Sequence, residues 1–509
     1  MRKKIIEFLF ILSAISFTFI MNFSTCLSKS QFILSTIISC LVSFGFSIYL
    51  IKKDIINNFF YNKNKNIFLI SLIITMLFIV NVVNNKESIY LLNSFFKSNI
   101  KQNLFLILIL IFSSFFVCIS LYKILNILIR FFKCELKIVT KSEKKFFLIS
   151  FVVLSFVSVI WYNTIPEEAI KDDLLFSMDS NFVANSMFPN VIWHLDLRHI
   201  FYSILSFPFY SFFMIFNKLL PLTVFNYYIY IVMIQIVLLL LVAIMLKRIL
   251  NDEKIMYFYL FSFPVLLNSI IIEKFSLCVF WVVLFVYICL KKKEEKKLKD
   301  LSLICATGSL FTSVFMGVFS SRKKGLKKIR EWIILILKFL LIIIVIGKLN
   351  ILYNIFDLIN PCSFISIKRR FYGVTEMLAS CIVAPLTEFK NGMFLWANEA
   401  NSINLLGLFI FLICIYVFIK HRNDKFVKIC FYWFCFSLFL FIGMNWYVFE
   451  APLFNLYFSW SIVGMVFLFL KDISERLKFK NYFWYICYFI ILIINCGLLI
   501  RIYNFFLQF

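Results

Sequence analysis

Charge is what this 509-residue chain has least of: 15% of its residues are Asp, Glu, Lys or Arg, and it holds three histidines. Beside 62% hydrophobic residues, that scarcity excludes a soluble monomer. Zinc-type Cys/His spacings, a Walker or dinucleotide glycine pattern, a G-x-S-x-G elbow and internal repeats are also missing, which excludes the soluble-enzyme chemistries those patterns carry. No A-x-A follows the opening "MRKK" and its apolar run, so the first segment reads as an uncleaved span rather than a signal peptide.

What is there is apolar sequence in span-length runs. Crossing roughly 30 Å of hydrocarbon at about 1.5 Å per residue takes about 20 apolar residues. About 13 runs meet that need, at about 5–22, 32–51, 66–84, 103–127, 146–162, 222–246, 256–272, 275–290, 331–349, 402–419, 426–446, 452–470 and 481–501. The expected fold is therefore an all-α polytopic membrane protein. Two stretches are not expected to be simple spans. Ile200 to Phe216, interrupted by Pro208, reads as a helix at the outer interface, and Leu301 to Ser320, with Gly308 in its middle and lysines at both flanks, as a short hairpin from the cytoplasmic side.

Lysine and arginine near span ends stay cytoplasmic. "MRKK", "KCELKIVTKSEKK", "KKKEEKKLK", "RKKGLKKIR" and "KDISERLKFK" fall on one face if the N-terminus is inside, which puts the loops at 163–200 and 350–401 outside. The net charge of +26 then reflects this bias and attraction to anionic membrane lipids; no nucleic acid is expected as a partner. The 14 cysteines lie mostly within spans as small hydrophobes, while Cys362 and Cys381 share the second outer loop, where pairing is open to them.

The first outer loop concentrates the scarce charge: Glu167, Glu168, Asp172, Asp173, Asp179, His194, Asp196, Arg198 and His199. A charge at mid-membrane costs roughly 2.5 to 3.5 kcal/mol, so this set is expected in water or in a lined cavity. "EEAIKDD" reads by itself as a solvated turn. The second loop holds "IKRRFYG", whose Lys368, Arg369 and Arg370 break the positive-inside bias. They suit either an amphipathic interfacial helix on anionic lipid or a phosphate site. Glu399 and Glu450 are isolated outer acids near span ends.

In order, these pieces resemble the GT-C superfamily of polyprenyl-phosphate-dependent glycosyltransferases: Asp179 in "MDSNF", "DLRHIFYSILSFPFY" from Asp196 to Tyr210, "LSLICATGSLFTSVFMGVFS" between lysine clusters, and "LFNLYFSW" from Leu453 to Trp460. Ile200 stands where the family usually has proline, Ser180 where many members have a second acid, and there is no D-x-D, so a divalent metal cofactor is left open. The resemblance implies a GT-C-like core at 140–509, preceded by a module of four spans at 1–139. It also implies transfer of a sugar from a polyprenyl-phosphate donor to a cell-envelope glycan or lipid acceptor at the outer face of a bacterial plasma membrane. Asp179 would be the general base. Arg198, His199, Arg369 and Arg370 would hold the phosphate, with Asp172, Asp173, Asp196 and Glu399 as secondary candidates. The rivals are a transporter or flippase and an O-antigen-type polymerase or ligase. Transporters usually carry ionisable residues inside their spans, and here the span interiors read as nearly clean, Lys338 being the clearest exception.

Overall fold

A computed structural model of the chain describes residues 2–23, 29–52, 64–84, 100–136, 140–166, 180–187, 199–219, 224–290, 296–320, 325–346, 349, 367–390, 393–396, 402–443 and 451–507. The helices run in order as α1 (Arg2–Phe23), α2 (Lys29–Lys52), α3 (Lys65–Asn84), α4 (Ile100–Leu136), α5 (Lys141–Thr164), α6 (Ser180–Asn185), α7 (Tyr202–Leu219), α8 (Val224–Leu250), α9 (Lys254–Leu260) and α10 (Phe263–Leu267). They continue as α11 (Phe275–Leu290), α12 (Lys296–Ser309), α13 (Met316–Phe319), α14 (Leu326–Val345), α15 (Ile367–Ser380), α16 (Ser402–Lys420), α17 (Lys425–Leu438), α18 (Ala451–Phe454), α19 (Leu456–Ser474) and α20 (Lys480–Phe506). In the described residues, strand occurs only as a hairpin, β1 (Thr387–Lys390) antiparallel to β2 (Met393–Trp396).

Eight described helical stretches are long and apolar enough to cross a membrane: Ile33–Lys52, Leu108–Lys133, Lys141–Thr164, Asn226–Leu250, Ser402–Lys420, Lys425–Ile442, Leu456–Ser474 and Lys480–Phe506. Their outward faces are greasy. On α5, Leu148, Ile149, Val152, Val153 and Phe156 are exposed while Phe146, Ser150, Leu154, Ser158 and Trp161 are buried, a helical stripe turned inside out relative to a soluble protein. Only lipid makes that arrangement favourable, and the chain is a multi-pass helical membrane protein.

The expected 13 spans are not all found. α1 and α3 are helical where spans were expected, and α11 is apolar but short. The expected span at 256–272 is broken. Pro264 has no N–H to offer the Leu260 carbonyl and its ring collides with it, so α9 ends and the chain turns through an extended Ser262 before α10 begins. α14 forms but carries Lys327, Lys328, Arg330, Glu331 and Lys338, too much charge for a candidate span. Pro208, by contrast, does not interrupt α7, which is one helix of 18 residues. The Leu301–Ser320 stretch is α12, an extended Leu310, a 3-10 turn and α13; Ser313 faces Cys278 in the first turn of α11, and Phe319 returns to Tyr432 and Trp433.

The chain divides into two compact units. The first comprises Met1–Val139, Asn185–Leu219 and Arg330–Leu358; the second comprises Thr140–Ala184, Leu220–Ile329 and Ile359–Phe509. In the first, α1 packs on α2 and α4 through small residues. Ser35, Ser39, Ser43 and Ser47 recur every fourth residue on the buried side of α2, opposite the exposed Ile33, Ile37, Leu41 and Phe44. Thr18 Oγ1 lies 2.9 Å from Ser43 Oγ and 2.7 Å from the Val345 carbonyl, and Phe10 and Phe17 pack on Phe116.

In the second unit, ion pairs gather the basic helix ends. At the start of α5, Glu143 closes a capping box with Thr140, and its buried carboxylate takes a bidentate guanidinium from Arg248 (3.1 and 3.0 Å) and the Lys247 ammonium (2.9 Å), both near the end of α8. Lys471, near the end of α19, pairs with Asp252 at 3.0 Å, and the neighbouring Asp472 takes Lys420 at 2.7 Å and His421 at 2.9 Å from the end of α16. Lys425, opening α17, donates to the Cys289 carbonyl at the end of α11. Six helix ends therefore share one basic face.

Candidate functional site

Polar chemistry in the second unit collects away from that face. Between α10 and α11 the chain leaves helix for residues 268–274 while staying buried. Apolar surroundings give such backbone no water, so side chains satisfy it. Gln235 of α8 donates from Nε2 to the carbonyls of Asn268 (2.9 Å) and Ile271 (2.7 Å), and its Oε1 accepts from the Glu273 amide (3.0 Å). Ser158 of α5 donates to the Ser269 carbonyl, and Ser180, opening α6, donates to that of Ile272. Three helices thus hold one unwound strap.

The strap delivers two charges into the protein. Glu273 and Lys274 are 6% and 7% exposed, and the Lys274 ammonium sits 4.8 Å from the centre of the Phe182 ring on α6. They stand about 22 Å along α11 from its basic end, at about 1.5 Å per residue. Phe275 then rests against Phe454 and Tyr457, which bracket Asn455 at the α18–α19 junction. Asn455, fully buried, donates from Nδ2 to Ser380 Oγ of α15, while its Oδ1 has no hydrogen-bond partner.

One turn before Ser380 lies Glu376, 2% exposed, with Oε1 also unpartnered. Burial pushes its carboxyl up to about 8 from an ordinary value near 4.5. The helix that carries it sits tightly on α16. A Cβ on Gly407 would stand 1.8 Å from the Thr375 carbonyl oxygen, so only glycine permits the approach, and Asn404 donates to the Tyr372 carbonyl and to Thr375 Oγ1 at 2.9 Å each. Asn495 of α20 secures the following turn, donating to the Phe261 and Ile382 carbonyls and accepting from the Ala384 amide.

Of the residues expected from sequence, Asp172, Asp173, Asp179, Asp196, Arg198 and Glu399 lie outside the described residues. His199 is described in the first unit, where its carbonyl accepts from the Tyr202 amide at the start of α7. Arg369 is in the first turn of α15. Arg370, beside it, donates to the Ile442 carbonyl at 3.1 Å. Most of the candidate set thus lies outside the described residues. Cys381 is a buried free thiol, and Cys362 lies outside the described residues. Among the described residues no group of three His, Cys, Asp or Glu could hold a metal ion.

Glu273 and Lys274, between two expected spans, and Glu376, in the expected second outer loop, are buried ionisable residues that the sequence reading did not single out. The first two were legible, as the only charges between Lys254 and Lys291. Compared with protein-family models, curated proteins and solved structures, the chain matches none.

Proposed function

We propose that this protein is a GT-C-like glycosyltransferase of a bacterial plasma membrane, N-terminus cytoplasmic, moving a sugar from a polyprenyl-phosphate donor to a cell-envelope glycan or lipid acceptor on the face opposite its basic helix ends. The observation that carries this reading is the seam of Glu273, Lys274, Asn455 and Glu376, set about 20 Å from the ion-paired face and tied through Ser180 to the segment that follows Asp179. In the reaction, the acceptor hydroxyl attacks the anomeric carbon, its proton passes to the Asp179 carboxylate, and the polyprenyl phosphate departs with the bonding pair. Arg369 and Arg370 balance the charge of that leaving group.

The test is sugar transfer by the purified protein from a polyprenyl-phosphate-linked donor. Asp179→Asn should lower turnover by about 10² to 10⁴ with donor binding little changed. Normal turnover in that variant would remove Asp179 as the base. The buried Glu376 favours a second reading, a transporter or flippase, since unpaired acids inside membrane proteins mark ion and proton paths. An unchanged envelope glycan profile with altered solute uptake in cells lacking the protein would select it.

A further inference from the structure

Glu376 is buried, and its Oε1 finds no donor. Thr375, its neighbour, meets Gly407 where a single Cβ would not fit, and Asn404 and Asn455 hold α15 from two sides. Among the described residues, the elements packed on α15 bring no countercharge. The turn Phe439–Gly443 and α18 contain no titratable residue, and those of α16 are Cys414, Tyr416 and, at its far end, Lys420, which is paired with Asp472. On α15 itself stand Lys368, Arg369, Arg370 and Tyr372, with the Arg370 guanidinium on the Ile442 carbonyl and Cys381 just beyond the helix.

We propose that Glu376 is a proton-binding site that latches α15: protonated, it lets the helix seat against α16 and Asn455, and when it ionises the helix lifts. An isolated carboxylate cannot stay in this seam without water or a cation, whereas the neutral acid can, and its O–H suits an acceptor such as the orphaned Asn455 Oδ1. The same helix carries Arg369 and Arg370 in its first turn, so the proton governs how that cationic end is presented. The test of this latch does not depend on the reaction proposed above.

The direction follows from linkage. In the lifted helix Glu376 titrates near 4.5, in the seated helix near 8. Below the lower value both forms hold the proton and the seat is at full strength. Between the two values only the seated form holds it, so lifting becomes about tenfold easier per pH unit, and above the upper value it levels off.

Hydrogen exchange of the full chain in lipid nanodiscs, followed by mass spectrometry over peptides spanning Ile367–Ser380, reads this directly. Corrected for the intrinsic rate, opening of α15 in the native protein should rise about 100-fold from about pH 5.5 to 7.5 and flatten above about 8. Glu376→Gln, which mimics the neutral acid, should be flat throughout. A flat native curve, or an equal slope in Glu376→Gln, overturns the proposal. Should that variant not fold, the native curve decides alone, since a slope without a plateau near pH 8 would assign the opening to another group.

Discussion

The two units bury different chemistry. Among the described residues, the first buries hydroxyls and nothing more polar: Ser13, Ser16, Thr18, the α2 serines, Ser71, Thr75, Ser113 and the serines around α7. Every buried amide and charge belongs to the second: Gln235, Asn268, Asn404, Asn455, Asn495, Glu143, Glu273, Lys274 and Glu376. Both face lipid outside, so burial of apolar area does not distinguish them. In the first unit the helices associate by close approach, with hydroxyls returned to their own carbonyls, as Ser47 is to Ser43. In the second, unwound backbone must be answered by side chains, and the residues able to do so are also those able to do chemistry. Function is therefore to be sought in the second unit.

The sharpest way to break that contrast is Gln235→Leu. It removes three hydrogen bonds at once, two accepted by the buried Asn268 and Ile271 carbonyls and one donated by the Glu273 amide. At about 1–3 kcal/mol for each group that loses this partner, the loss should reach about 3 kcal/mol or more, seen as a large fall in the thermal midpoint of the detergent-solubilised protein. A loss below about 1 kcal/mol would mean that water already serves the strap and that the second unit is not polar-bonded in this sense.

Gly407→Ala comes next. The added methyl would meet the Thr375 carbonyl, backbone that cannot rotate away, so α15 must shift from α16. Overpacking of this kind costs about 1–3 kcal/mol. The displacement should also speed hydrogen exchange across α15 at all pH values, unlike the pH-dependent opening assigned to Glu376. Equal protection in Gly407→Ala would show the contact to be loose.

How far the sequence reveals this follows from range. The eight candidate spans are legible because each is a continuous apolar run, and Ser402–Lys420 falls within a residue of its expectation. The broken stretch at 256–272 was misjudged on mean apolarity, although Pro264 and the adjacent Glu273 and Lys274 all mark an interruption. The hairpin was signalled too, since Asn391 and Gly392 stand between β1 and β2, the residue pair that two-residue hairpin connections favour. Glu376 was not legible. "VTEML" in a short helix rich in arginine reads as a solvated acid, and the residues that hold that helix in place, Asn404, Gly407 and Asn455, lie 28 or more residues from Glu376. The expected outer-loop cluster is a different case, because most of its members lie outside the described residues.

The smallest effect tests the first unit. Ser39 is fully buried on α2, and its hydroxyl has no hydrogen-bond partner, so the position uses the residue's size and not its polarity. Ser39→Ala keeps the close approach and removes an orphaned polar group, so stability should stay level or rise by up to about 1 kcal/mol. Ser39→Leu keeps the hydrophobicity suited to a membrane but fills the contact side of the serine stripe, and should cost about 1–3 kcal/mol by overpacking. Thermal midpoints of the two variants settle the matter. If Ser39→Ala destabilises as much as Gln235→Leu does, the hydroxyl has a partner of consequence, and the first unit would be held by polar bonds as the second is. If Ser39→Leu is tolerated, small size is not what brings α2 to its neighbours, and close packing fails as the account of the first unit.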